Sequence, residues 1–150
     1  MNFMDKAVEL SIDNVKNGNG GPFGCVIISQ DKEILSFGIN EVTKNNDPTS
    51  HAEINAIRAA CEKLKSPFLT NCSIYTSCEP CPMCYGAIKW AKLKNIYYCN
   101  TREQAKQIGF DDQAIYDEII QKKQKMTYMP HTNGLKSFQE WEKSQNKILY

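Results

Sequence analysis

Two short motifs, His51-Ala52-Glu53 and Pro80-Cys81-Pro82-Met83-Cys84, constrain this chain more than any other stretch. One imidazole and two thiols form a borderline-to-soft donor set that suits zinc, and three protein ligands leave a fourth position open for water. Glu53, two residues beyond the histidine, is a natural proton carrier for that water. The two motifs must therefore meet at one point in the fold. The 30 residues from His51 to Cys81 hold one helix and one strand, enough to return the chain to the same end of a sheet. Each motif also opens a helix. One begins near Thr49 or Ser50 and runs to about Lys65, with Ile54, Ala56, Ile57, Ala60 and Leu64 facing inward; the other starts at Pro82 and reaches about Ala91. Two helix N-termini aimed at one point favour thiolate over thiol.

The remaining stretches supply a sheet for those helices. Residues 4–15 place Met4, Ala7, Val8, Ser11, Ile12 and Val15 on one helical face, and Asn17-Gly18-Asn19-Gly20-Gly21-Pro22 ends that helix. Phe23 to Ile28 is a nearly continuous apolar run, as expected of a strand buried on both faces. Gln30-Asp31-Lys32 turns the chain into a second strand, Ile34 to Ile39, and a polar loop runs from Glu41 to Pro48. Further strands are expected over Cys72–Thr76, Ile96–Cys99 and, weakly, Met126–Met129. Short helices near 102–108 and 112–121 flank Gly109, and a last helix covers about 138–147 behind a Ser137-x-x-Glu140 capping box. Strands alternating with helices predict an α/β fold: a three-layer α/β/α arrangement around a mixed, roughly five-stranded sheet, in one domain over residues 1–150.

Composition narrows the function classes. With 41% hydrophobic and 23% charged residues the chain reads as an ordinary globular protein, and no apolar run approaches the roughly 20 residues that span a bilayer. The start, Met1-Asn2-Phe3-Met4-Asp5-Lys6, has neither a basic segment nor an apolar one, so the cytoplasm is the expected compartment. Seven cysteines is an odd number and favours metal binding among reduced thiols over a disulfide framework; Cys25, Cys61, Cys72 and Cys99 read as small core residues. Net charge is +1, divided into +4 over residues 121–150 and −3 over the rest, which argues against a broad nucleic-acid surface.

Blander readings compete for the same motifs. Ser50-x-x-Glu53 fits a capping box, Cys78-x-x-Cys81-x-x-Cys84 with His51 could close a four-ligand structural zinc, and Cys81-x-x-Cys84 could be a redox pair. The conjunction of His-x-Glu with the two cysteines favours the open site, and Cys78 stands before the turn set by Glu79-Pro80. His131 falls in a loop and reads as a surface residue.

H-x-E followed by P-C-x-x-C is the known signature of zinc-dependent nucleobase deaminases, and the chain resembles that cytidine/deoxycytidylate deaminase superfamily. Gly20-Gly21-Pro22-Phe23-Gly24, Asn46 to Glu53, Thr76 to Cys84, Gly109-Phe110-Asp111-Asp112 and Phe138-Gln139-Glu140-Trp141 are similar to the bacterial guanine deaminases within it. That resemblance implies a cytidine deaminase-like fold, one zinc per subunit on His51, Cys81 and Cys84, and hydrolytic deamination of guanine to xanthine and ammonia by zinc-bound hydroxide, with Glu53 as proton shuttle. It implies substrate contacts from Phe23, Asn40, Trp90, Asp112 and Tyr150, and a homodimer in which residues 121–150 form a C-terminal lid exchanged between subunits. Residues 122–136 match the family weakly, and Ser50 stands where alanine is commoner. Read without the resemblance, Asn40 could cap a strand end, Asp111 or Asp112 could cap the following helix, and Phe23 and Trp90 could be core. The competing functions are a tRNA adenosine deaminase, a deaminase of cytosine, guanosine or another aminated heterocycle, and a nucleic-acid-binding module with structural zinc.

Overall fold

The computed structural model describes residues 2–121 and 126–149. Helix α1 (Phe3–Lys16) starts on Asn2, whose side chain accepts from the Met4 amide at 3.1 Å. Strands β1 (Gly24–Ile28) and β2 (Ile34–Ile39) form the expected antiparallel hairpin. A single helical turn, α2 (Val42–Asn45), occupies part of the predicted polar loop. Helix α3 (Ala52–Leu64), strand β3 (Ser73–Cys78), helix α4 (Pro82–Trp90) and strand β4 (Asn95–Asn100) follow in turn. Helices α5 (Arg102–Gln107), α6 (Gln113–Gln121) and α7 (Lys136–Lys143) complete the described chain.

The described strands form one four-stranded sheet in the order β2-β1-β3-β4, one strand fewer than expected. Among the described residues, 126–129 pair with no strand. β1 runs antiparallel to both neighbours, whereas β3 and β4 are parallel and are joined through α4, the crossover that a parallel pair requires. All five residues of β1 are buried, and alternation splits them between two cores. Cys25 and Ile27 pack with Ala52, Ala56 and Ala60 of α3 and Ile88 of α4, while Val26 and Ile28 pack with Ala7 of α1. The sheet therefore lies between helical layers, as the α/β/α expectation required.

Close approach of backbone decides which helix faces are inward. A Cβ on Gly38 of β2 would run into the Ala52 carbonyl, and one on Gly24 would run into the Ala7 carbonyl. Helices that sit this near the sheet present small residues. α3 buries Ala52, Ala56 and Ala60, while Leu64 is exposed against expectation. α1 likewise buries Ala7, Ser11 and Asn14 and turns Ile12 and Val15 outward. Asn14 belongs inside because its amide donates to the carbonyls of Gly21 and Asn40, each at 2.8 Å. Two further expectations need correction. Cys99 is exposed and Cys61 half-buried, and Ser137-x-x-Glu140 does not cap α7, whose N-cap residue is Leu135 with no side-chain cap bond.

Candidate active site

His51 and Cys81 are both N-cap residues, of α3 and α4, with extended backbone at ψ 158° and 168°. Neither side chain caps its own helix, so both are free to point at a common centre. Cys84 lies in the first turn of α4 and is fully buried. The Nδ1 of His51 stands 3.6 Å from the Cys81 sulfur and 3.4 Å from the Cys84 sulfur. A tetrahedral zinc with Zn–S near 2.3 Å and Zn–N near 2.0–2.1 Å holds its sulfur and nitrogen donors about 3.5 Å apart. The observed spacings fit that ion. Cys78 is not in the cluster; its sulfur faces the Thr101 carbonyl at 3.9 Å, so the four-ligand alternative fails among the described residues.

Electrostatics prepare the cluster for a cation. Hydrogen bonding from Cys84 and then from His51 lowers the Cys81 thiol to about 4 against the opposing effect of burial. The same bond to Cys81, reinforced by burial and by Glu53, holds the Cys84 proton on its sulfur. His51 is shifted upward, chiefly by its bond with Cys81. The arrangement favours a thiolate at Cys81, and a divalent cation held there would supply the charge that releases the second proton.

Glu53 is buried, 6% exposed, beside these ligands. Its two carboxylate oxygens accept from Thr76 Oγ1 at 3.3 Å and from Cys84 Sγ at 3.5 Å. Burial is the main cause of its raised pKa. It does not take part in a capping box, because the N-cap of α3 is His51; Ser50 instead bonds with Asn55 and Asn45.

A cavity of about 720 Å³ opens beside the cluster, and His51, Glu53 and Cys81 form part of its wall. Phe23, Asn40 and Asp112, for which the resemblance implied substrate contacts, line it. Asn40 is buried, and its Oδ1 accepts from the Gly21 and Val42 amides at 3.2 and 3.3 Å. With the oxygen so engaged, the NH₂ is the part left for a ligand. Asp111 Oδ1 accepts from the Gln113 amide at 3.0 Å at the start of α6, and Asp111 lines the cavity together with Asp112. Burial raises the Asp112 pKa, against the pull of Arg102.

Trp90 does not belong to this cavity wall. It ends α4, roughly 13 Å of helix beyond Cys81, and is 62% exposed. Tyr150 lies outside the described residues. Two residues were missed by sequence reasoning. Phe110 meets the Phe23 ring edge-on with centroids 4.9 Å apart, and Arg102 pairs with Glu79 and Asp112. Phe110 could have been found from the Gly-Phe-Asp-Asp stretch; nothing in the sequence around Arg102 marks it.

Residues 1–100, which carry the whole cluster, match the model of the cytidine and deoxycytidylate deaminase zinc-binding region. The chain belongs to this deaminase family. It is thus a zinc-dependent enzyme, a hydrolase of the deaminase class, with His51, Cys81 and Cys84 as its zinc cluster. The deaminase is similar to the guanine deaminase of Bacillus subtilis, with 45% identity across 99% of this chain and 97% of that protein. The X-ray structure of the Bacillus subtilis guanine deaminase superposes with a TM-score of 0.93 over 100% of this chain and 99% of that one, at 44% identity. A tRNA-specific adenosine deaminase from Aquifex aeolicus is 36% identical, but over 51% of this chain and 50% of its own length. Among the described residues no helix is long and apolar enough to cross a membrane.

Proposed function

We propose that the deaminase hydrolyses guanine to xanthine and ammonia. The observation that carries this reading is the convergence of Asn40 and Asp112 on the cavity that also exposes Glu53 and the zinc cluster. Guanine presents N–H donors along its edge, which a carboxylate accepts, and a carbonyl and ring nitrogen, to which the Asn40 NH₂ donates. Adenine has no N1–H to offer Asp112. Likeness to a guanine deaminase along the whole chain, against half the chain for the tRNA enzyme, supports the same choice.

Zinc on His51, Cys81 and Cys84 supplies Lewis acidity and makes water a nucleophile at neutral pH. Phe23 and Phe110 hold the base by its faces and edges. Glu53 accepts a proton from the attacking water, hands it to the ring nitrogen beside the attacked carbon, and carries the next to the departing amine. Its burial suits this work, since a carboxyl with a raised pKa exchanges protons nearer to neutrality.

The C-terminal segment completes the reading. Every residue from 126 to 149 is exposed, including Phe138 and Trp141 on α7. In the proposed homodimer this segment closes over the partner's cavity; the compartment is the cytoplasm. Ammonia release is measured with guanine, guanosine, adenine, cytosine and a tRNA anticodon stem-loop. Turnover of guanine alone is the expected result, and activity on the stem-loop with none on guanine overturns it.

A further inference from the structure

Arg102, the first residue of α5, makes an unusual set of contacts at the cavity wall. Its backbone N–H and its Nη2 donate to the two oxygens of Glu79 at 3.0 and 3.2 Å. Its Nη1 donates to Gln113 Oε1 at 3.5 Å, and its Nε faces Asp112 Oδ1 at 3.4 Å. The guanidinium lies 3.7 Å from the centroid of the Tyr116 ring, and the Tyr116 hydroxyl donates to the Pro80 carbonyl at 3.4 Å. Glu79 and Pro80 immediately precede Cys81.

We propose that Arg102 is a positioning residue, which fixes the Asp112 carboxylate in the cavity and ties it to the loop that carries Cys81. The inference rests on the reading of Asp112 as the acceptor for the purine N–H. Arg102 acts through Asp112 because its own donors are turned to protein acceptors and its face is covered by Tyr116. Nε and Oδ1 are shielded atoms with no hydrogen-bond partner of ordinary geometry, and they face each other at 3.4 Å as an ion pair. Oδ1 is thereby committed to Arg102, and Oδ2 is the oxygen Asp112 can offer the base. A planar fork that also stacks on an aromatic ring can join three groups in this way; a lysine ammonium cannot. Base recognition and the metal loop are then set relative to each other by one side chain. Separately, partial burial raises the Asp112 pKa, and the Arg102 charge is the main influence opposing that rise.

The test compares Arg102→Gln and Arg102→Lys with the unaltered enzyme. Arg102→Gln is expected to raise KM for guanine about tenfold or more, with kcat within about threefold and one zinc retained per chain. Arg102→Lys is expected to fall between the two, and it serves also if Arg102→Gln does not fold. In crystal structures of the variants, Asp112 is expected to turn from its present orientation. An unmoved Asp112 with unchanged KM overturns the proposal, as does a loss confined to kcat. An unaltered enzyme that releases no ammonia from guanine sinks the purine reading instead, and the orientation of Asp112 in the variants still judges the coupling.

Discussion

Residues 2–121 and residues 126–149 are made of similar material and end in opposite states. In the first region β1 loses every residue to the interior, and both faces of the sheet are covered. The second carries Met126, Tyr128, Met129, Leu135, Phe138, Trp141, Ile148 and Leu149, and all of them are exposed. Apolar content alone does not bury a segment. It needs a complementary surface within reach, and this chain's own body offers the arm none. The body is held by contacts within one chain, whereas the arm would gain burial against a second copy only in the proposed homodimer.

That contrast can be broken or sharpened by substitution. The largest effect is expected from Glu53→Gln, which keeps the body folded and zinc bound while kcat falls by about two to four orders of magnitude. Retention of near-native turnover would remove Glu53 from the chemistry; loss of zinc by plasma emission analysis would make it a structural residue. Next comes Asp112→Asn, expected to raise KM for guanine about tenfold to a hundredfold, since a hydrogen bond to a charged group contributes about 1.5–3 kcal/mol. The pH dependence has the same origin. Burial raises the Asp112 pKa, so as pH falls this group protonates before an ordinary aspartate, the acceptor is lost and KM climbs. A KM that is flat through the weakly acidic range would show that the charge is not used.

Gly38→Ala addresses the body directly. The added Cβ meets the Ala52 carbonyl, and overpacking of this kind costs about 1–3 kcal/mol. The thermal midpoint should fall by the same amount at every protein concentration. The smallest effect is expected from Phe138→Ser with Trp141→Ser in the arm. These side chains touch little in one chain, so the thermal midpoint of dilute protein should hardly move, while the concentration dependence of unfolding disappears. A midpoint lowered equally at all concentrations would mean that the arm packs on its own body.

Local features of this fold were legible because local rules produce them. The run Phe23 to Ile28 announced a doubly buried strand, and Pro82 announced the start of α4. Faces were less legible. Ala7, Ser11, Ala56 and Ala60 were expected inward and are buried, but Ile12, Val15 and Leu64 turn outward, because glycine at 38 and 24 brings each helix so near the sheet that small residues fill the contact. Asp111 and Asp112 both line the cavity, and only the structure shows that the Asp111 side chain takes the Gln113 amide while Asp112 faces Arg102. The family resemblance implied Trp90 as a substrate contact, yet the length of α4 carries it away from the cavity wall of this chain.

By itself the sequence determined the donor set. An imidazole, two thiols and a nearby carboxylate, each at the start of a helix, specify zinc and a proton carrier wherever the chain brings them together. Tertiary structure decided what surrounds them: the 3.4 and 3.6 Å spacings that fit one ion, the turning of the Asn40 amide, the pairing of Arg102 with Asp112, and the arm left without a surface. The physical reason is range. Ligand chemistry and helix starts depend on neighbours within a few residues, whereas a cavity is shaped by side chains from distant segments whose packing no spacing rule records.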